Sequence, residues 1–129
     1  MAGEIALDTN IAVGFLNGEP RIVAKLATLP TIILPVVVVG ELHFGAANST
    51  RARVNLPRYV TFIDDCLLLP IGRETAIRYS QVRLTLKQKG RPIPENDLWI
   101  AAQCLENGWT LATADAHFGY VDGLTIEQW

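Results

Sequence analysis

Four acidic residues stand beside apolar runs instead of in charged stretches. Asp8 follows Ile5-Ala6-Leu7, Glu41 follows four valines at 36–39 and Gly40, Asp97 precedes Leu98-Trp99-Ile100, and Asp115 comes shortly after Leu111-Ala112. An acid beside a buried run is either a cap or a site residue. Singly, each has an ordinary structural explanation. Asp8 suits a strand end and Asp115 a turn, while Asp97 suits a helix N-terminus, an effect of roughly 0.3–1 kcal/mol. Glu41 is harder to explain, because no basic residue lies near it in sequence. Together the four imply more. Two unit charges about 4 Å apart repel by about 4 kcal/mol at an effective dielectric of about 20. Three or four converging carboxylates therefore need a cation or shifted pKa values. A divalent ion meets that need, and oxygen-only ligands suit Mg2+ or Mn2+ better than zinc. Mg2+ keeps several waters, and one can act as the nucleophile on a phosphodiester.

Convergence requires a scaffold. The 129 residues suit one domain, 1–129, and half of them are hydrophobic, enough for a core. A short, mostly apolar run at 4–7 predicts a first strand, which Asp8-Thr9-Asn10 breaks with side chains typical of helix N-caps. Helices are predicted over 10–16, 20–29, 35–47, 56–65, 74–89 and 94–107, and further strands over 32–34, 67–69, 109–112 and 124–126. The segment 35–47 is ambiguous. Its valines favour a strand, but Pro35 fits a helix start, and Val38, Leu42, Gly45 and Ala46 follow helical spacing. The reading here is a helix. Strands alternating with helices predict an α/β fold with a parallel sheet covered on both faces. Active sites in such sheets gather at the carboxyl ends of the strands. Asp8 and Asp115 both emerge at that edge.

The motifs around these acids resemble those of PIN domains. Asp8-Thr9-Asn10 after a short apolar strand looks like the opening motif. Val38-Val39-Gly40-Glu41-Leu42 is similar to the second acidic motif, and Glu95-Asn96-Asp97-Leu98-Trp99-Ile100-Ala101-Ala102 to the third. Leu111-Ala112-Thr113-Ala114-Asp115-Ala116-His117-Phe118 resembles the fourth, a Thr-x-Asp-x-x-Phe pattern. No one of them is specific, but four in series are, and they span nearly the whole chain. The resemblance implies a single PIN-like domain with a parallel sheet of four or five strands flanked by helices. It also implies an Mg2+-dependent (or Mn2+-dependent) endoribonuclease. On it, Asp8, Glu41, Asp97 and Asp115 surround the metal, Thr113 orients a metal ligand or water, and Asn10 adds a secondary polar contact. Glu95 is an additional acid, expected to face solvent. A bare domain without an RNA-binding extension resembles the VapC toxins of type II toxin–antitoxin modules. That implies a small antitoxin whose C-terminal tail blocks the acidic site, and a homodimer, with Trp129 and segment 35–47 as candidate interface. A PIN nuclease of RNA processing and a catalytically inactive PIN-like binding module are the alternatives. Intact acids at all four positions speak against the second.

The charge distribution fits a polyanionic substrate better than the net charge of −2 does. Residues 51–91 hold nine of the eleven Lys/Arg and three acids, a balance of +6, which leaves −8 elsewhere. Arg83 and Lys87, one helical turn apart, are candidate RNA-phosphate contacts. They equally suit the dipole at a helix C-terminus. Arg51, Arg53 and Arg58 form a second cluster. His43 and His117 have neither ligand spacing nor a triad partner, and His117 is expected to fix a turn. Trp99, Trp109 and Trp129 are expected in the core or an interface. Cys66 and Cys104 lie in no CxxC pattern and read as reduced thiols.

Other classes fit less well. The longest apolar stretch, 32–39, contains Pro35 and falls short of the roughly 20 residues a membrane helix needs. Residues 1–5 carry no basic residue, so no signal peptide is read there, and a cytoplasmic protein is expected. A phosphotransfer receiver needs paired acids after its first strand and a late lysine, yet Thr9 and Asn10 follow Asp8 and no lysine follows Lys89. A haloacid-dehalogenase-type phosphatase needs a second aspartate where Asn10 stands. No GxGxxG supports a dinucleotide site.

Overall fold

In the structure, a computed structural model describing residues 4–129, the strands β1 (Ile5–Leu7), β2 (Ile33–Pro35), β3 (Leu67–Leu69), β4 (Thr110–Thr113) and β5 (Ile126–Gln128) form one sheet. Their order is β3-β2-β1-β4-β5, and every pairing is parallel. Strands β1 and β2 are apolar throughout because both faces are covered. Ala6, Leu7, Ile33, Leu34 and Leu111 are fully buried. Leu7 pairs with Ala112, so β1 and β4 end side by side.

Six helices connect the strands: α1 (Thr9–Leu16), α2 (Pro20–Leu26), α3 (Val36–Ala47), α4 (Ala52–Asp64), α5 (Arg73–Gln88) and α6 (Glu95–Asn107). Segment 36–47 is helical despite its valines. Val38, Leu42 and Ala46, four apart, are buried in one stripe, and burial outweighs the modest β preference of branched side chains. Helix α6 ends at Gly108, whose φ of 69° is the left-handed conformation that glycine adopts without strain.

The structure revises several predicted boundaries, among them the end of α2, at Leu26 and not 29, and adds one element. Helix α4 begins at Ala52, not at 56, and contains Pro57. Proline removes one backbone donor, but Arg53 and Pro57 are both exposed, so water can satisfy the carbonyl that loses its partner. The last strand is Ile126–Gln128, two residues beyond the reading of 124–126. It is an edge strand whose pairing with β4 continues through the polar Glu127 and Gln128, where apolar character no longer marks it. A short 3-10 helix, Ala116–Tyr120, follows β4 and buries Phe118.

The two cysteines are free, in line with their reading as thiols. Burial pushes the Cys66 thiol up to about 12, which keeps it protonated and unreactive. Among the described residues, no helix is long and apolar enough to cross a membrane.

Candidate active site

The four acids come from four different elements and line one cleft. Asp8 follows β1 and caps α1, Glu41 lies on α3, Asp97 sits in the first turn of α6, and Asp115 follows β4. Asp8, Glu41, Asp97 and Asp115 share a cleft of about 740 Å3 with Thr9, Asn10, Glu95 and Asn96. It opens at the carboxyl edge of the sheet, where the topology places such sites.

Each carboxylate is held by the chain around it. Asp8 is 3 % exposed, and both of its oxygens accept hydrogen bonds. The backbone N–H of Thr9 donates to Oδ1 (2.8 Å), and the hydroxyl of Thr113 donates to Oδ2 (2.6 Å). Thr113 also accepts from the backbone N–H of Asp115 (3.0 Å), so one hydroxyl links two of the acids. Asn10 works in the same way. Its Nδ2 lies 3.3 Å from Asp8 Oδ2 and 3.3 Å from Asp115 Oδ2, while its Oδ1 accepts from the N–H of Ala114 (3.2 Å). Glu41 accepts from the Thr9 hydroxyl at Oε1 (2.5 Å) and from Asn96 Nδ2 at Oε2 (3.4 Å).

Three residues emerge that the sequence reading did not assign to the site, one of them Asn96, the second support of Glu41. Thr9 holds Glu41. Its place in a capping triplet masked that role, because its partner lies on another helix. His117 was expected only to fix a turn. Its Nε2 lies 2.8 Å from Asp97 Oδ2, and the tautomer protonated there donates to the carboxylate. Asp97, Asp115 and His117 can each offer a ligand atom within 4.8 Å of the others. The two-residue spacing of Asp115 and His117 was the available signal.

The electrostatics are those of a cation site. Among the described residues, no lysine or arginine forms an ion pair with Asp8, Glu41, Asp97 or Asp115. Burial raises the pKa of Asp8, against the hydrogen bonds from Thr113 and Thr9, and the charges of Asp115 and Glu41 push it further up. Burial likewise raises that of Asp97, with the Asp8 charge adding to it and His117 opposing it. Ionisation is thus disfavoured until positive charge arrives. The donor set is mainly carboxylate oxygen, with one imidazole at the edge, and it fits a hard divalent cation.

The basic residues lie outside this cleft. Arg83 and Lys87 line a second groove between α5 and α6. Arg83 is engaged there: its guanidinium donates to the Tyr79 hydroxyl (2.7 Å) and lies 3.5 Å from Glu95 Oε1. Glu95 is exposed, as expected, but it is not idle, since the Tyr79 hydroxyl donates to Oε2. Arg58 donates to the Leu16 carbonyl (2.6 Å). Trp109 is buried in the core, and Trp99 stacks on Tyr79 at 4.1 Å between ring centres.

Comparison with known proteins adds a second line of observation. The family model described as PIN domain matches residues 5–124. Ribonuclease VapC2 of Rickettsia felis is 30 % identical over 128 residues, covering 95 % of this chain and 96 % of the relative. The tRNA(fMet)-specific endonuclease VapC of Salmonella typhimurium is 28 % identical over 126 residues, with the same coverage of 95 % and 96 %. Among solved structures, VapBC2 from Rickettsia felis bound to a DNA fragment from its promoter contains a chain that superimposes with a TM-score of 0.92. The identity is 28 %, and the match covers 98 % of this chain and 99 % of that one.

Proposed function

The chain belongs to the PIN-domain family, and on that premise we propose that it is the ribonuclease toxin of a type II toxin–antitoxin module, hydrolysing RNA phosphodiesters with Mg2+ or Mn2+. The observation that carries this reading is the meeting of Asp8, Glu41, Asp97 and Asp115, from four elements, in one cleft with no lysine or arginine partner among the described residues.

Asp8, Glu41, Asp97 and Asp115 are the residues that would hold the metal, with His117 at the edge of the set. A bound divalent ion supplies Lewis-acid activation of water and of the phosphoryl oxygen. The chain supplies the positioning. Thr113 and Asn10 set the relation of Asp8 to Asp115, and Thr9 and Asn96 hold both oxygens of Glu41. His117 orients Asp97. The open cleft accommodates a single strand of RNA. Arg83 and Lys87, in the adjoining groove, supply counter-charge for phosphates that the acids themselves repel.

Relatives solved as VapBC complexes support an antitoxin as the protein partner. A homodimer in the cytoplasm completes the reading. Helix α3 leaves Phe44 69 % exposed, which suits a protein interface on segment 35–47.

The test is cleavage of a mixed RNA pool by purified protein with Mg2+, with EDTA, and by Asp8→Asn. Metal-dependent cutting that Asp8→Asn loses is the expected result. Cutting that persists in EDTA or in the variant overturns the assignment. Growth arrest on expression without an antitoxin separates a toxin from an RNA-processing enzyme.

A further inference from the structure

We propose that the groove between α5 and α6 is a base-reading subsite for a nucleotide flanking the scissile phosphate, and that Glu95 makes it select bases with an exocyclic amino group over uracil. The inference rests on the ribonuclease reading above and names a determinant of its specificity.

The groove adjoins the acidic cleft, and Glu95 lines both. A strand with one phosphate at the carboxylates therefore has its neighbouring nucleotide within reach of the groove. The groove encloses about 310 Å3, near the lower end of the roughly 300–1,000 Å3 range of small-ligand sites. Its floor is apolar: Leu86, Ile93 and Leu98 are 1 %, 9 % and 4 % exposed. Such a floor suits the flat face of a base. Arg83 and Lys87 stand on the rim, both exposed, and complement the phosphate attached to that base.

Glu95 is the feature that needs a reason. A carboxylate between two sites for a polyanion repels phosphate, so a sequence-neutral RNA groove has no use for it. It is also held in place. The Tyr79 hydroxyl donates to one oxygen, Arg83 lies beside the other, and the Tyr79 ring is itself fixed by stacking on Trp99 with 17° between planes. An ionised carboxylate can only accept hydrogen bonds. Cytosine, adenine and guanine offer it an exocyclic amino group, whereas uracil has none: its one edge donor, N3–H, lies between two carbonyl oxygens that a carboxylate repels. A fixed acceptor over an apolar floor thus reads one chemical difference among the bases.

Two measurements test this. In the first, a random-sequence single-stranded RNA is cut with Mg2+ and the product ends are sequenced. Uracil should be depleted at one position flanking the cut. Glu95→Gln should shift the uracil-to-cytosine ratio there by about fivefold or more, since its amide donates as well as accepts. Identical base profiles for the two proteins overturn the proposal while leaving the nuclease intact. In the second, binding of short fluorescein-labelled oligo-C and oligo-U is measured with Ca2+ in place of Mg2+. The wild type should prefer oligo-C, Glu95→Gln should lose that preference, and Lys87→Ala should weaken both and reduce the salt slope by about 0.7. Equal affinity for the two oligomers in the wild type overturns the proposal. A Glu95-dependent preference without any cutting would instead remove the ribonuclease reading and keep the subsite.

Discussion

The hydroxyl of Thr113 donates to Oδ2 of Asp8 across 2.6 Å, so the last residue of β4 fixes the residue that follows β1. Both are buried, at 0 % and 3 % exposed, and the bond lies where two adjacent parallel strands end. A carboxylate whose orientation is fixed by a buried partner binds metal without first having to be ordered. Thr113→Val removes the donor while nearly keeping the shape. It should weaken Mn2+ binding or activity by about 10–100-fold, the usual effect of losing a group that orients a ligand. Thr113→Ser should stay close to wild type. Calorimetric titration with Mn2+ checks both, and equal affinity in Thr113→Val would reduce the residue to a packing role.

Asp8 should also betray itself in the stability of the metal-free protein. Its pKa is raised in the fold, chiefly by burial. The native state therefore binds this proton more tightly than the unfolded chain does. That contribution to stability is fully present below the unfolded value of 3.8 and is lost as pH rises through the raised folded value. At pH 7, well above the unfolded value, the raised pKa makes Asp8 a net cost to folding, which Asp8→Asn removes. In EDTA the variant should melt above wild type at pH 7, and the gap should close as the pH approaches 3.8. Scanning calorimetry across that range decides it. A variant that melts lower throughout would mean that the hydrogen bonds to Asp8 outweigh its desolvation.

His117 faces Asp97, whose pKa is already raised by burial and by the Asp8 charge and is held back by this histidine. Removing the imbalance in one direction has a defined sign. In His117→Ala the opposing interaction is gone, so Asp97 should keep its proton to a higher pH. Metal ligation requires the deprotonated carboxylate. The midpoint of the pH dependence of Mn2+ binding should therefore move upward in His117→Ala, and His117→Gln, which restores a donor, should move it back. An unchanged midpoint in His117→Ala would show that the pair does not tune the site.

The acids were legible in the sequence because each stands beside an apolar run, and for Asp8 and Asp115, which follow β1 and β4, the parallel fold sends those strand ends to one edge. Their supports were less legible. Glu41 lacks a basic partner in sequence, and the structure gives it a hydroxyl and an amide instead, from Thr9 and Asn96. Neither residue type announces itself as a partner, and both lie far along the chain. His117 joins Asp97 only because the 3-10 turn after β4 folds back over the start of α6. The boundaries that slipped did so where local signals conflict with tertiary context. Pro57 hides the true start of α4 at Ala52, and the polar end of β5 hides its pairing with β4.

Gln103 makes the last prediction, one about how the two helices that carry Glu41 and Asp97 are kept in register. It sits on α6 and is fully buried. Its Oε1 accepts from the N–H of Val36, at the start of α3, where Pro35 provides no side-chain cap (3.2 Å). Its Nε2 donates to the carbonyl of Leu69 at the end of β3 (2.7 Å). One amide thus joins α6, α3 and the sheet. Gln103→Leu fills a similar volume but orphans both backbone groups, each at about 1–3 kcal/mol. The expected loss is about 2–6 kcal/mol, read as a lower urea midpoint at constant slope. Mn2+ affinity under native conditions should fall as well, because α3 and α6 lose their common tie. A lowered midpoint with unchanged Mn2+ affinity would confine Gln103 to stability, and an unchanged midpoint would show that water replaces both of its hydrogen bonds.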